Sequence, residues 1–288
     1  MRHEQSYYVN QQEQNAAFKI SYCLDYFNKR LRIDDYEGSI TAICRRAAEV
    51  ARANALTKVF IKSRETDWQT FLAKGYMLEG VYKWYFRGDD AYCMAYYLDL
   101  ARRTSDYWME EDRILEQVLA LPAKTEMSAL PANCTMRIAV PGDAGQLAAL
   151  YGQTFQTYPT PMNDPDYVDS VMQEGTIFYL IESGGGLVSA ASAEINAAYG
   201  NAEMTDCATL PSHRNQGLMR ILMQALEEEL VVSRGVTCTY SLSRALSFGM
   251  NAVFGQMGYR YCGRLTKNCD IYDKFEDMNL WVKLLAPH

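Results

Sequence analysis

The chain has 288 residues, 49% of them hydrophobic and 22% charged, the balance of a protein that folds around a core rather than staying disordered, at a length that suits two domains of ordinary size. Its formal net charge of −7 excludes nucleic acid or an anionic membrane as the expected partner, since both call for a basic face, and leaves a small cationic ligand open. Residues 1–18 lack the apolar core of a signal peptide, no apolar run approaches the roughly 20 residues of a membrane span, and a cytoplasmic protein is expected.

The eight cysteines, Cys23, Cys44, Cys93, Cys134, Cys207, Cys238, Cys262 and Cys269, form no C-x-x-C pair and read as free thiols in a reducing compartment. Of the three histidines, His3 and His288 sit near the ends and His213 stands alone, so no metal site is expected.

Taken in chain order, Phe18 to Asp34 reads as paired strands, and Ile40 to Asn54 has helical spacing with Ser39 as its N-cap. Lys58 to Ser63 is a strand, Asp67 to Lys74 a helix, and Met77 to Leu98 a hairpin turning at Gly88 and Asp89. A helix from Ser105 to Leu121 carries Glu110, Glu111 and Asp112 in its early turns, where the helix dipole favours acids. The following stretch holds Pro122 and Pro131 with little periodicity and reads as a linker, 122–134, between an α/β unit at 1–121 and a second at 135–288.

In the second unit Met136 to Val140 is a strand and Asp143 to Phe155 a helix. Tyr158-Pro-Thr-Pro161 cannot be helical, because proline lacks a donor and restricts its predecessor. A helix follows Asp164 and Pro165 through Met172, and three strands cover Thr176 to Ser183, Leu187 to Asn196 and Ala202 to Leu210. Gly217 to Val232 is a helix, Thr237 to Leu242 a strand, Ser247 to Gly255 a helix, and Tyr259 to Leu265 and Met278 to Leu284 the last strands. Phe71-Leu-Ala-Lys-Gly-Tyr76 and Phe254-Gly-Gln-Met-Gly-Tyr259 each close a short helix with glycine before a strand. The shared order suggests a duplication with a degenerate first copy.

The stretch that carries chemistry is 210–220, Leu-Pro-Ser-His-Arg-Asn-Gln-Gly-Leu-Met-Arg, between a strand and an amphipathic helix. A glycine at the first helical turn lets a ligand approach the backbone. The unpaired amides there, with the helix dipole and Arg214, make an anion site suited to a pyrophosphate.

The spacing of Arg214, Gly217 and Met219 resembles the coenzyme A loop of the GNAT N-acetyltransferase superfamily, although Met219 stands where a small residue is usual. Asn251, Phe254, Gly258 and Tyr259 resemble its next signature. A narrower resemblance, to the β-lysine N-acetyltransferase family, runs through Cys23 to Arg30, Phe71 to Gly80, Asp89 to Tyr92, Thr154 to Pro159, Ala193 to Ile195, Ala202 to Asp206, Ala208 to Pro211, Gly249 to Asn251 and Glu276 to Asn279.

The fold this implies is α/β of the α+β kind: a mixed, mostly antiparallel sheet flanked by helices, preceded by a smaller α/β unit. The activity implied is transfer of the acetyl group of acetyl-CoA to the ε-amino group of β-lysine, a route to a compatible solute, by direct attack in a ternary complex without a metal. Another small amine, such as lysine or a polyamine, is the first alternative. A non-catalytic acyl-CoA-binding module is the second, and a homodimer is left open.

By the same resemblance, coenzyme A contacts fall on Cys207, Ala208, Thr209, Leu210, Arg214, Asn215, Gln216, Gly217, Leu218, Met219, Asn251 and Phe254. Backbone amides near Cys207 to Leu210 polarise the thioester, and Glu203, on the strand before the loop, is the general base. Glu194 and Asp206 are the candidates for the acceptor's ammonium groups, with Tyr158 on a covering loop. Phe254 occupies the position where many members carry a tyrosine acid, and Tyr240, Tyr259, Tyr261 and water are the remaining choices.

Overall fold

The computed structural model describes residues 7–124, 126, 128–272 and 274–285; His3 and His288 lie outside them. The first half contains β1 (Tyr8–Gln14), β2 (Phe18–Asp25), β3 (Arg30–Gly38), α1 (Ile40–Ala53), β4 (Lys58–Ser63), α2 (Trp68–Ala73), β5 (Met77–Phe86), β6 (Asp89–Tyr97) and α3 (Trp108–Leu119). The second contains β7 (Cys134–Ile138), α4 (Ala144–Thr154), α5 (Pro165–Gln173), β8 (Ile177–Ser183), β9 (Gly186–Asn196) and β10 (Asn201–Thr209). It ends with α6 (Leu218–Arg234), β11 (Cys238–Arg244), α7 (Phe248–Gln256), β12 (Arg260–Ile271) and β13 (Lys274–Leu284).

Local chemistry explains several of these limits. The Ser39 hydroxyl accepts the Ala42 amide to start α1, and the Asp164 carboxylate accepts the Asp166 amide to start α5, with Pro165 in the first turn. Helix α6 stops at Gly235, which adopts φ 64°. The helix expected from Ser105 begins at Trp108 instead. The Ser105 hydroxyl accepts the Tyr107 amide and donates to Glu111, satisfying groups just outside the helix.

All thirteen strands join one sheet in the order β1-β2-β3-β4-β6-β5-β12-β13-β11-β10-β9-β8-β7. Neighbours run antiparallel except β3–β4 and β10–β11, each bridged by a helix, α1 and α6. The order β1-β2-β3-β4-β6-β5 in the first half matches β8-β9-β10-β11-β13-β12 in the second. The corresponding strands β5 and β12 meet antiparallel at Gly80 and Gly263, so closely that a Cβ on Gly263 would lie 2.4 Å from the Gly80 Cα. Beside this seam the fully buried Lys58 ammonium pairs with the Glu79 carboxylate (2.8 Å) and donates to the Thr266 carbonyl (2.9 Å).

Among the described residues of the expected linker, 122–134, no element occurs except Cys134, the first residue of β7. The helix before it, α3, is expected by sequence within the first unit. Its buried Leu115 and Val118 instead pack with Leu226, Phe254 and Trp281 in the core of the second half, and Arg264 of β12 reaches back to its Glu111 and Asp112. A third core, around Tyr82, Tyr85, Tyr240 and Leu280, draws on both halves. Among the described residues no helix is long and apolar enough to cross a membrane.

Candidate active site

Strands β10 and β11 pair only from Asn201 to Glu203, against Cys238 to Tyr240. Beyond Glu203 strand β10 follows β9 alone, and between Thr205 and Ala208 it bulges, with Asp206 at φ 47°. The buried Tyr151 hydroxyl donates to the Asp206 carbonyl (2.6 Å) and holds the bulge in place. The divergence opens a wedge-shaped groove of about 550 Å³. Cys207 and Thr209 line its β10 side, Arg214, Asn215, Gly217, Leu218 and Met219 its floor, and Met250 and Val253 of α7 its far wall.

Gly217 sits at the start of α6 with φ 75°, a conformation that favours glycine, and a Cβ there would meet no atom within 4 Å. The α6 ladder begins with the Ile221 amide on the Gly217 carbonyl (3.3 Å), so the amides ahead of it have no acceptor within the helix. The Arg214 Nε donates to the Thr209 carbonyl (3.2 Å), which ties this cation to the end of β10. Open amides, a helix N-terminus and a guanidinium around a dent free of side chains form an anion-binding surface.

On the other side of the bulge lies a second cavity of about 290 Å³. The second half supplies Glu203, Thr205 and Asp206 from β10, Glu194 from β9, and Tyr158 and Thr160 from the loop between α4 and α5. The opposite wall comes from the first half, with Arg30 and Arg32 on β3, Lys62 on β4 and Tyr82 on β5.

Glu194 and Glu203 are direct cross-strand partners, an arrangement in which two carboxylates repel. Withdrawal from bulk water, and then the like charges of Glu203 and Asp206, push the Glu194 carboxyl above the usual range, although its surface stays open to the cavity itself. Burial raises Asp206 as well, against hydrogen bonds from the Ser192 hydroxyl (2.6 Å) and Tyr158 that favour its ionised form. Lys62 meets no carboxylate at ion-pair distance among the described residues. Its Nζ lies 5.0 Å from the Tyr85 ring centre and 5.5 Å from that of Tyr82. A cavity walled by an acid cluster on one side and cations on the other suits a small, multiply charged amine.

The model of the Acetyltransferase (GNAT) family matches residues 146–259. The chain is 39% identical over 261 residues to N-acetyltransferase YodP of Bacillus subtilis, covering 91% of this chain and 94% of that protein. The chain belongs to the GNAT acetyltransferase family. It is also 38% identical over 231 residues to the beta-lysine N(6)-acetyltransferase of Methanosarcina mazei, covering 73% of this chain and 85% of the relative. The protein of the same name from Methanococcus maripaludis is 32% identical over 257 residues, covering 89% and 93%.

This GNAT acetyltransferase takes its acetyl group from acetyl-CoA. The larger groove offers open first-turn amides and the Arg214 guanidinium to an anion, and the sides of Met219 and Val253 to an apolar chain.

Several residues expected at coenzyme A do not line the larger groove. Asn251 is fully buried. Its Oδ1 accepts from Ser243, Asn279 and Trp281, and its Nδ2 donates to the carbonyls of Arg244 and Ser247. It therefore anchors α7 from behind. Phe254 is also fully buried, its ring 5.0 Å from Tyr259 in the core. The Ala208 side chain is buried among Leu147, Tyr151 and Leu180, while Gln216 is exposed outside the groove lining. The Leu210 amide is spent on the Val188 carbonyl (2.9 Å), which removes it from the expected thioester donors.

None of Tyr240, Tyr259 and Tyr261 lines either cavity. Tyr240 packs on Tyr82, the Tyr259 hydroxyl pairs with Thr239 (3.0 Å), and Tyr261 packs on Trp281. The tyrosine on the larger groove is Tyr272, in the β12–β13 turn beneath the Arg244 guanidinium (4.9 Å), and no motif pointed to it. Strand alternation also hid how Asp206 joins Glu203 in one cavity. A regular strand sends residues three apart to opposite faces, and the bulge reverses that.

Proposed function

We propose that the protein transfers the acetyl group of acetyl-CoA to the ε-amino group of β-lysine, by direct attack within a ternary complex. The observation that carries the reading is the facing pair Glu194 and Glu203 with Asp206 beside it, an acid cluster that an acceptor's ammonium groups would neutralise. Two relatives bear the name beta-lysine N(6)-acetyltransferase.

In the proposed reaction Glu203 takes a proton from the ammonium, directly or through water. The freed amine attacks the thioester carbon, the C–N bond forms, the nitrogen sheds its second proton to solvent, the C–S bond breaks and coenzyme A leaves as its thiolate, which solvent protonates. The acetyl group does not pass through Cys207. Burial, and then the charge of Asp206, push that thiol far above its ordinary pKa, the reverse of what a nucleophilic cysteine needs. Acetylation removes one positive charge from a cation with two ammonium groups and one carboxylate. The product is a neutral zwitterion, as suits a compatible solute in the cytoplasm. On the same proposal the first half is a degenerate copy of the second, kept as a wall of the acceptor cavity.

Release of thiol from acetyl-CoA with β-lysine, α-lysine and spermidine tests the reading. β-Lysine should give the highest kcat/KM, with α-lysine about tenfold to a hundredfold lower, because moving an amine leaves its buried partners unsatisfied. Glu203→Gln should cost about 100-fold at neutral pH, with recovery at high pH where the amine is already free. Spermidine turning over far better than β-lysine would overturn the substrate assignment.

A further inference from the structure

We propose that Lys62 and Arg32 form a carboxylate-binding subsite, so that the first half of the chain makes the enzyme select diamino acids over plain diamines. The proposal rests on the smaller cavity being the acceptor site and adds what its cationic wall is for.

The three cations on that wall are not equivalent. Arg30 is committed: its Nε holds Asp25 (2.7 Å) and its Nη1 the Asn268 carbonyl (3.1 Å), with little of the side chain exposed. Arg32 spends Nε and Nη2 on Asp34, and its Nη1 has no protein partner among the described residues. Lys62 Nζ has no hydrogen bond or ion pair among them. It lies over the rings of Tyr85, Tyr82, Phe60 and Tyr240 at 5.0 to 6.0 Å. Aromatic faces offset only part of the cost of withdrawing an ammonium from water, so a cation held this way gains strongly from an anion brought to it.

With Arg30 paired to Asp25 and Arg32 partly engaged by Asp34, the cavity is left with three acids, Glu194, Glu203 and Asp206, against the Lys62 ammonium and the Nη1 of Arg32. A diamine fits the acid side alone and leaves the cations unanswered. A diamino acid answers both walls, its ammonium groups toward β9 and β10 and its carboxylate toward β3 and β4. The polarity of the cavity thereby also orients the acceptor.

The test compares each diamino acid with its carboxylate-free counterpart: β-lysine with pentane-1,4-diamine, and α-lysine with pentane-1,5-diamine. Wild-type kcat/KM should favour the carboxylated member by about tenfold to a hundredfold, the range of a hydrogen-bonded charge. Lys62→Met should bring that ratio to within about threefold of one, chiefly by raising KM for the diamino acid, and Lys62→Arg should keep most of it. Arg32→Gln should lower it in part. Acetyl-CoA affinity by calorimetry shows in each variant that the fold is intact.

If Lys62 served only as a counterion to the acid cluster, both members of a pair would fall by the same factor, and an unchanged ratio in Lys62→Met overturns the subsite. The two readings separate. Preference for α-lysine with a ratio that collapses in Lys62→Met keeps the subsite and rejects β-lysine as the substrate. Preference for β-lysine with an unmoved ratio does the reverse, and preference of the wild type for plain diamines rejects both.

Discussion

Replacing Gly217 with aspartate separates what the loop does for the fold from what it does for the ligand. Because no atom lies within 4 Å of a Cβ at this position, the fold bears only the strain of φ 75°. That is about 1 kcal/mol, and aspartate is among the residues that tolerate the conformation best. Gly217→Ala carries the same backbone cost without the charge and is the reference. In the aspartate variant the new carboxylate stands roughly 6 Å from an anion seated on the first-turn amides. There each pair of charges repels by about 0.7 kcal/mol in water and about 3 kcal/mol at an effective dielectric of 20. Gly217 is exposed, so the lower part of that range applies, acting against both charges of a pyrophosphate. Gly217→Asp should therefore bind acetyl-CoA at least about tenfold more weakly than Gly217→Ala by calorimetry, and the gap should narrow as salt is raised. Equal affinities for the two variants would refute the placement of the pyrophosphate at the start of α6.

Asn251→Ala strands three donors, from Ser243, Asn279 and Trp281, and should cost about 3–5 kcal/mol in urea unfolding. A loss below 1 kcal/mol would mean that the α7 anchor is not held as described. Gly263→Ala brings a Cβ to 2.4 Å from the Gly80 Cα and the Glu79 carbonyl. Since backbone cannot yield as a side-chain tip does, the seam between β5 and β12 should open, with a drop of at least about 2 kcal/mol and new protease cleavage near it. Glu194 is raised in the folded state, so folding keeps a proton that the unfolded chain has lost. The stability it contributes is complete below the ordinary glutamate range and disappears as pH rises through the raised value. Glu194→Gln should therefore flatten the fall of Tm between acid and neutral pH in the ligand-free enzyme. Parallel Tm curves for variant and wild type would show that the Glu194 carboxyl is not raised in the folded state.

Most of the second half was legible because its signals are local. The glycine at the start of α6, the prolines at 159 and 161 and the alternation along β8 to β10 each act within a few residues. Strand β1 escaped notice because its Asn-Gln-Gln-Glu-Gln run is an exposed sheet edge, where polar residues suit solvent and leave no apolar period to detect. Asn251 and Phe254 showed the opposite failure. The motif located them, but spacing does not say which face of a short helix meets the groove, and both face the core. The seam at Gly80 and Gly263 and the cationic wall at Arg32 and Lys62 depend on contacts between residues far apart in the chain, which no local pattern encodes.

The matching strand orders give the acceptor cavity a simple geometry. With β5 set against β12, strands β3 and β4 of the first half hold the places that β10 and β11 hold in the second. Strand β3 brings Arg30 and Arg32 to the cavity, and β10 brings Glu203 and Asp206. Equivalent strands thus face one cavity with opposite charge. The second half carries the glycine loop at the start of α6, with its open first-turn amides. In the other half β3 and β4 likewise pair over a short stretch, from Arg30 to Ile33, but the helix that follows opens on Ser39, whose hydroxyl already takes the Ala42 amide. Cations carried on paired strands are better suited to reading a substrate's carboxylate than cations on a mobile loop, because their backbone loses little freedom when the anion arrives. On this reading, deleting the first half would not yield a smaller enzyme with the same specificity. It would strip β12 of its neighbour, bare the aromatic core at Tyr240 and leave Glu194 and Glu203 without the cations that moderate them.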